Sequence, residues 1–267
     1  MSGTRWLWPS AAGLALAGVG AWIVTQIGAG GALAGLPIAA AVTAVVVAAL
    51  RWLGRGAGRE RRGLLISAFL WGASFAALGA IFSQRWLQQL TDALGGKDFS
   101  RWFHPLVTTP VTEEVFKALF LLWLLVARRR QIRGLLDGIV LGGLAGAGFA
   151  FSENVFYLGG AIMKFTAGGE DAATVLGVTF FLRLVLVPFM HPFFVAIAGL
   201  GVAASYRSRV FILLGLLAAV ALHGVWDYAG LASADHLLIF RIYGAVMVPL
   251  FVALLVTALV LRRRSAR

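Results

Sequence analysis

Four short stretches hold most of the acids and imidazoles that this chain places inside apolar sequence. Thr112-Glu113-Glu114-Val115-Phe116-Lys117 sets two carboxylates beside an ammonium. Phe149 to Tyr157 contains Ser152, Glu153 and Asn154. His191 precedes Pro192, and His223-Gly224-Val225-Trp226-Asp227 puts an imidazole four residues before a carboxylate. Carboxylates and imidazoles move protons, hold metal ions and stabilise developing charge. At 100° per residue on a helix, Lys117 lies about 40° and Glu114 about 100° from Glu113. Lys117 therefore sits between the carboxylates and can pair with either, leaving one for chemistry. Phe149, Glu153 and Tyr157 share one stripe, and His223 and Asp227 share a face. Asp227 can accept the His223 ring N–H or act beside it on a substrate. Cysteine is absent, which excludes disulfides, thiolate zinc sites and cysteine nucleophiles.

The elements that carry these residues are membrane helices. The 267 residues are 60% hydrophobic and only 13% charged, too few charges to cover a soluble domain. The apolar runs approach ~20 residues, the length that crosses hydrocarbon as a helix. Eight spans are expected, over roughly 11–28, 32–53, 64–82, 109–127, 135–158, 176–205, 210–230 and 238–261. Arg5 before an apolar run fits a signal peptide, but the length of that run and Trp6, Trp8 and Trp22 predict a retained first helix. Pro188 and Pro192 should kink or break the sixth span. The longest connection, 83–108, holds Trp86, Trp102, Phe103 and His104, and an amphipathic segment lying on the membrane is expected there. Gly134, Gly138, Gly142 and Gly146 form a smooth stripe that places the fifth helix inside the bundle.

The net charge of +12 would suggest nucleic acid in a soluble protein. Here the basic residues cluster between apolar runs, so the charge reads as topology and no nucleic-acid partner is expected. With the N-terminus inside, sixteen of the 23 Lys and Arg fall on the cytoplasmic side and five on the other. The fold class is therefore all-α: a polytopic helical membrane bundle of about eight helices, both termini cytoplasmic. One domain spans 1–267, with a chemical core at about 109–230.

Burying an ionisable group in the bilayer costs roughly 2.5–3.5 kcal/mol on insertion scales, so several such groups demand a reason. Glu113, Glu114, Glu153 and His223 all fall ~8–10 Å inside the outer ends of their spans, counted at 1.5 Å per residue. His191 lies deeper. Asp137 is near the cytoplasmic end and can reach the basic cluster there. Arg183 is expected to snorkel to the outer interface. His104 and His236 fall in expected loops. None of these last four is assigned chemistry.

At the first group of residues the sequence resembles the PrsW family of intramembrane proteases, which is similar to the CAAX prenyl endopeptidases and ABI-type membrane proteins. The family pattern EExxK, FxxxE, a membrane His and HxxWD is present as Glu113 to Lys117, Phe149 to Glu153, His191, and His223 to Asp227, in order and on separate spans. The resemblance covers about 110–230 and implies hydrolysis of a peptide bond in a membrane-anchored protein. It suggests site-1 cleavage of an anti-sigma-factor-like protein at the outer side of the cell membrane. It makes Glu113 the group that polarises a water, with Glu114 and Lys117 tuning the field or holding substrate. His223 and Asp227 would donate to the oxyanion, with Asp227 needing a proton to do so. Glu153 stands where the CAAX enzymes have His, and His191 completes the site. Phe149, Asn154 and Trp226 are expected as substrate-binding or electrostatic support.

Two alternatives stay open. Glu153 or Glu113 with His191 and His223 is a zinc-hydrolase ligand set, so zinc is the alternative cofactor. No HExxH helix accompanies it, and a metal-independent glutamate route is favoured. Ser152 has no base evident in the sequence. A proton-coupled transporter would use similar groups, but it predicts polar residues across the whole membrane and an internal repeat.

Overall fold

The computed structural model describes residues 4–54, 61–231 and 237–265. His236 and the basic residues Arg55, Arg59 and Arg267 lie outside them. Every regular element among the described residues is helical. They are α1 (Thr4–Leu53), α2 (Arg61–Trp71), α3 (Ala77–Phe103), α4 (Thr109–Ala127), α5 (Leu135–Ala167), α6 (Ala172–Phe180), α7 (Met190–Ala204), α8 (Val210–Leu231), α9 (Leu238–Ile242) and α10 (Val248–Ser265). Several are joined end to end by π-helical turns, so six stretches are long and apolar enough to cross a membrane. These are Trp8–Leu53, Arg61–Ala127, Leu135–Ala167, Ala172–Ala204, Val210–Leu231 and Leu238–Arg264.

Two of the six bend at a glycine. Gly28 has φ 72° and ψ 163° inside α1, and Gly96 has φ 78° and ψ 170° inside α3. A side chain is strained at such angles, so glycine is required at both. The break at Gly28 coincides with the end of the first expected span.

The expected connection over 83–108 is instead helical. α3 folds back at Gly96, and a π-turn at His104–Thr108 leads directly into α4. The polar residues that resemble a loop in sequence satisfy one another across this bend. Gln88 donates to Ser100, and the Thr91 and Ser100 hydroxyls pair at 2.8 Å. His104 Nε2 lies 3.3 Å from the Gln84 carbonyl and its Nδ1 lies 3.1 Å from the Thr109 hydroxyl. His104 is therefore a helical packing residue rather than a loop residue.

The sixth span breaks where its prolines predict. A π-turn at Phe181–Leu186 ends α6, Pro188 lies in the break, and α7 starts at Met190. Pro192 falls in the first turn of α7, where its missing N–H leaves no helical bond unmade.

α5 forms the centre of the bundle and is buried from Gly138 through most of its length. Its glycine stripe faces α7. A methyl group on Gly138, Gly142 or Gly146 would strike the carbonyls of Gly199, Val195 or His191 respectively. The seam thus brings His191 against α5 one turn below Ala150. Gly134 does not extend it: this residue precedes the helix, in extended backbone, with open space around it. At the far end Asp137 pairs with Arg61 at 2.6 Å.

Candidate active site

Four helices deliver the polar side chains to one place. Glu113, Glu114 and Lys117 sit in the second and third turns of α4. Because α4 continues from the preceding π-turn, the two acids are not at a free helix N-terminus, so helix-end electrostatics does not explain them. Trp71 Nε1 donates to the Phe116 carbonyl at 2.8 Å and ties α4 to the end of α2. On α8, Gly224 has no side chain to hold the Leu106 backbone away, and His223 comes in beside α4 as a result.

The charges form one continuous chain. Lys117 is completely buried, and its Nζ donates to Glu114 Oε1 at 2.8 Å, Glu113 Oε2 at 3.1 Å and His191 Nδ1 at 2.9 Å. Those are three acceptors for three N–H bonds, and the Phe149 ring covers the ammonium at 3.9 Å. An ammonium only donates, so His191 Nδ1 accepts and its Nε2–H donates to Glu153 Oε2 at 2.7 Å. Arg183 Nη1 donates to the same oxygen at 2.6 Å and stacks over Tyr157 at 3.9 Å. On the other wing His223 Nδ1 lies 2.9 Å from Glu114 Oε1. Its Nε2 faces Asp227 Oδ2 at 3.5 Å and Glu113 Oε2 at 3.9 Å. Phe194 stacks on the His223 ring at 5.2 Å and fixes its plane.

This cluster borders a cavity of about 560 Å³. Glu113, Glu153, His191, His223 and Asp227 line it; Glu114 and Lys117 stand behind them. The two adjacent glutamates therefore differ: Glu113 faces the cavity, while Glu114 is sealed. Gln84 donates to Glu113 Oε1 at 3.0 Å, leaving Oε2 toward His223 and Lys117. The walls are apolar, with Trp22, Ile23, Phe149 and Trp226 among them. A pocket of this size has room for a water beside the carboxylate.

All the sequence-selected groups converge here. Trp226 lines the cavity with its ring near Tyr243, at 6.3 Å, and Asn154 is buried at the wall with its Oδ1 unpaired among the described residues. The Ser152 hydroxyl is buried and donates to the Ala73 carbonyl at 2.7 Å, so it bridges two helices. Arg183 corrects the sequence expectation. It does not reach outward but turns into the site to pair with Glu153. Gln84 and Tyr157 also line the site, although the sequence gives neither a chemical role. A charge count was the available signal: four intramembrane carboxylates face a single lysine, which calls for a second cation.

The cluster also contains a metal-capable set. One donor atom each from Glu113, His191 and His223 lies within 4.8 Å of the others. Glu113, rather than Glu153, joins the two imidazoles. The donor types suit zinc, and His223 backed by a carboxylate at Nδ1 is oriented as zinc-binding imidazoles commonly are.

Residues 60–254 match the family described as PrsW family intramembrane metalloprotease. The chain belongs to the PrsW family. The matched stretch includes every residue of the charge chain, from Gln84 on α3 to Asp227 on α8. As a PrsW-family protein it is a multi-pass membrane protein of the intramembrane protease class, with lipid and a membrane-embedded protein as its natural surroundings. No curated protein and no solved structure matches the chain.

Proposed function

We propose that this protein hydrolyses a peptide bond of a membrane-anchored protein with a water activated by Glu113. The observation that carries the reading is the asymmetry of the carboxylates: Glu113 alone of the α4 pair reaches the cavity, 3.9 Å from His223 Nε2. Glu113 takes a proton as the water oxygen attacks the scissile carbonyl carbon. His223 in its doubly protonated form, held at Nδ1 by Glu114, donates from Nε2 to the oxyanion, and a protonated Asp227 assists. Collapse breaks the C–N bond, and Glu113 returns its proton to the leaving amine. Arg183 fixes Glu153, Glu153 holds His191, and Lys117 holds His191 and both α4 carboxylates.

The metal reading has its own support in the Glu113, His191 and His223 donor set and in the family's printed description. A bound zinc would lower the proton affinity of its water and polarise the carbonyl. For His191 to act as a ligand, it must give up either the Lys117 contact at Nδ1 or the proton it shares with Glu153. That requirement favours the glutamate route.

The topology proposed is eight crossings with both termini cytoplasmic, obtained by counting the arms on either side of Gly28 and Gly96 as separate crossings. The sixteen-to-five division of basic residues supports this orientation. It puts the cavity in the outer half of a plasma membrane, where an anti-sigma-factor-like substrate would receive a site-1 cut.

Reconstitution with a single-pass reporter tests the chemistry. Cleavage that survives a chelator and is lost on Glu113→Gln is expected. Loss by chelation with recovery on adding zinc would select the metal route. No cleavage of any single-pass reporter by the unaltered protein would contradict both.

A further inference from the structure

A second cavity of about 420 Å³ lies on the far side of α5 from the active site, between α1 and α2. It shares no lining residue with the first. Thr43 and Val47 on α1, Leu65 and Phe69 on α2, and Leu144 and Phe151 on α5 form a nearly all-apolar trough. On α1 it extends from Ala40 to Arg51, ~16 Å at 1.5 Å per residue, about the length of an acyl chain. Arg51 and Arg62 stand together at one end, both exposed.

The neighbouring cations are engaged. Arg61 binds Asp137 and the Gln131 carbonyl, and Arg262 stacks on Trp52. Arg51 and Arg62 have no acidic, carbonyl or ring partner among the described residues. Two guanidiniums with no such partner among the described residues, at the mouth of a chain-length apolar trough, match a phosphate that carries an acyl tail. Basic residues of this kind at a bilayer surface favour anionic headgroups.

We propose that this trough is a binding site for an anionic diacyl phospholipid, with one acyl chain against α5 and the phosphate on Arg51 and Arg62. The site is independent of the protease reading and does not need it.

Native mass spectrometry of the full chain in mild detergent tests the proposal, using phosphatidylglycerol and phosphatidylcholine of identical chains. Retention of the anionic lipid should exceed that of the zwitterionic lipid about tenfold. The preference should vanish in R51Q/R62Q. It should also vanish in A44F, which fills the trough without touching a charge. It should persist in R129Q/R130Q, a pair of exposed arginines elsewhere. Glycerol phosphate at the same concentration should displace nothing. Equal retention of both lipids, a preference that survives R51Q/R62Q or A44F, or an equal loss in R129Q/R130Q would overturn the site. Displacement by glycerol phosphate would show a simple phosphate site and also overturn the lipid assignment.

Discussion

The active-site cavity has two walls, each held by a carboxylate, an imidazole and a cation, with Glu114 and Lys117 behind the first. On the α4–α8 wall Glu114, His223 and Lys117 pair a carboxylate with an imidazole and an ammonium. On the α5–α7 wall Glu153 and His191 pair a carboxylate with an imidazole, and Arg183 adds a guanidinium from the π-turn that ends α6. The distances are alike, 2.9 Å for Glu114 with His223 and 2.7 Å for Glu153 with His191. Their surroundings differ. The Lys117 and Glu114 side chains are sealed, whereas those of Arg183 and Glu153 retain about a fifth of their surface, at 22% and 19%. A sealed charge that loses its partner has no water to turn to, while a half-open one does. The first wall therefore acts as framework and the second as an adjustable rim, with Glu113 placed at the seam between them.

The largest effect should come from opening the sealed wall. Lys117→Met leaves Glu113 and Glu114 facing each other and strands the His191 Nδ1 acceptor. We expect a loss of roughly 3–5 kcal/mol, the cost of breaking a buried ion pair from one side. A thermal melt in detergent reads it, and an unchanged melting temperature would erase the distinction between the walls. Arg183→Gln removes the equivalent partner from the rim. The expected loss is smaller, about 1–2 kcal/mol, because Glu153 keeps His191 and can reach water. Cleavage should fall in this variant more than stability does, since the Glu153 carboxylate that His191 binds is no longer fixed in place by the guanidinium. A Lys117 loss no greater than the Arg183 loss would show that both walls are equally open. Ser152→Ala should cost least, about 1 kcal/mol for the lost bond to Ala73, with cleavage retained. Abolished cleavage in a folded Ser152→Ala protein would instead point to a serine nucleophile.

Much of this arrangement is visible in the chain before folding. Membrane helices announce themselves by length and apolarity, and an acid or imidazole inside one is conspicuous because it is costly there. Glu113, Glu114, Lys117, Glu153, His191, His223 and Asp227 stand out on that ground, and the glycine stripe from 134 to 146 points to a central fifth helix closely approached by another, though not to α7 as that partner nor to Gly134 falling outside the seam. The fold-back over 83–108 is harder to read. Gln84, Gln88, Thr91, Ser100 and His104 have the composition of a loop, and their mutual hydrogen bonds exist only after Gly96 turns the chain. Arg183 resembles a surface-reaching residue in sequence for a related reason. Its partner Glu153 is on another helix, thirty residues away, and a lone arginine in an apolar run is indistinguishable from one that reaches for the surface. The choice between Glu113 and Glu114 is made in sequence only by the resemblance, because both are equally acidic and adjacent; the physical difference between them is the cavity, which Glu113 lines and Glu114 does not.

The most direct measurement is the cleavage rate of a single-pass reporter in proteoliposomes by a folded Glu113→Gln protein. The substitution keeps the side-chain size, but its one amide oxygen can accept from Gln84 or from Lys117 and not from both, so some stability is lost and the rate is read only on protein shown to be folded by its melting transition. The account predicts a rate at least ~10²-fold lower, as expected for loss of a general base. A folded Glu113→Gln protein that cuts at close to the unaltered rate would contradict it.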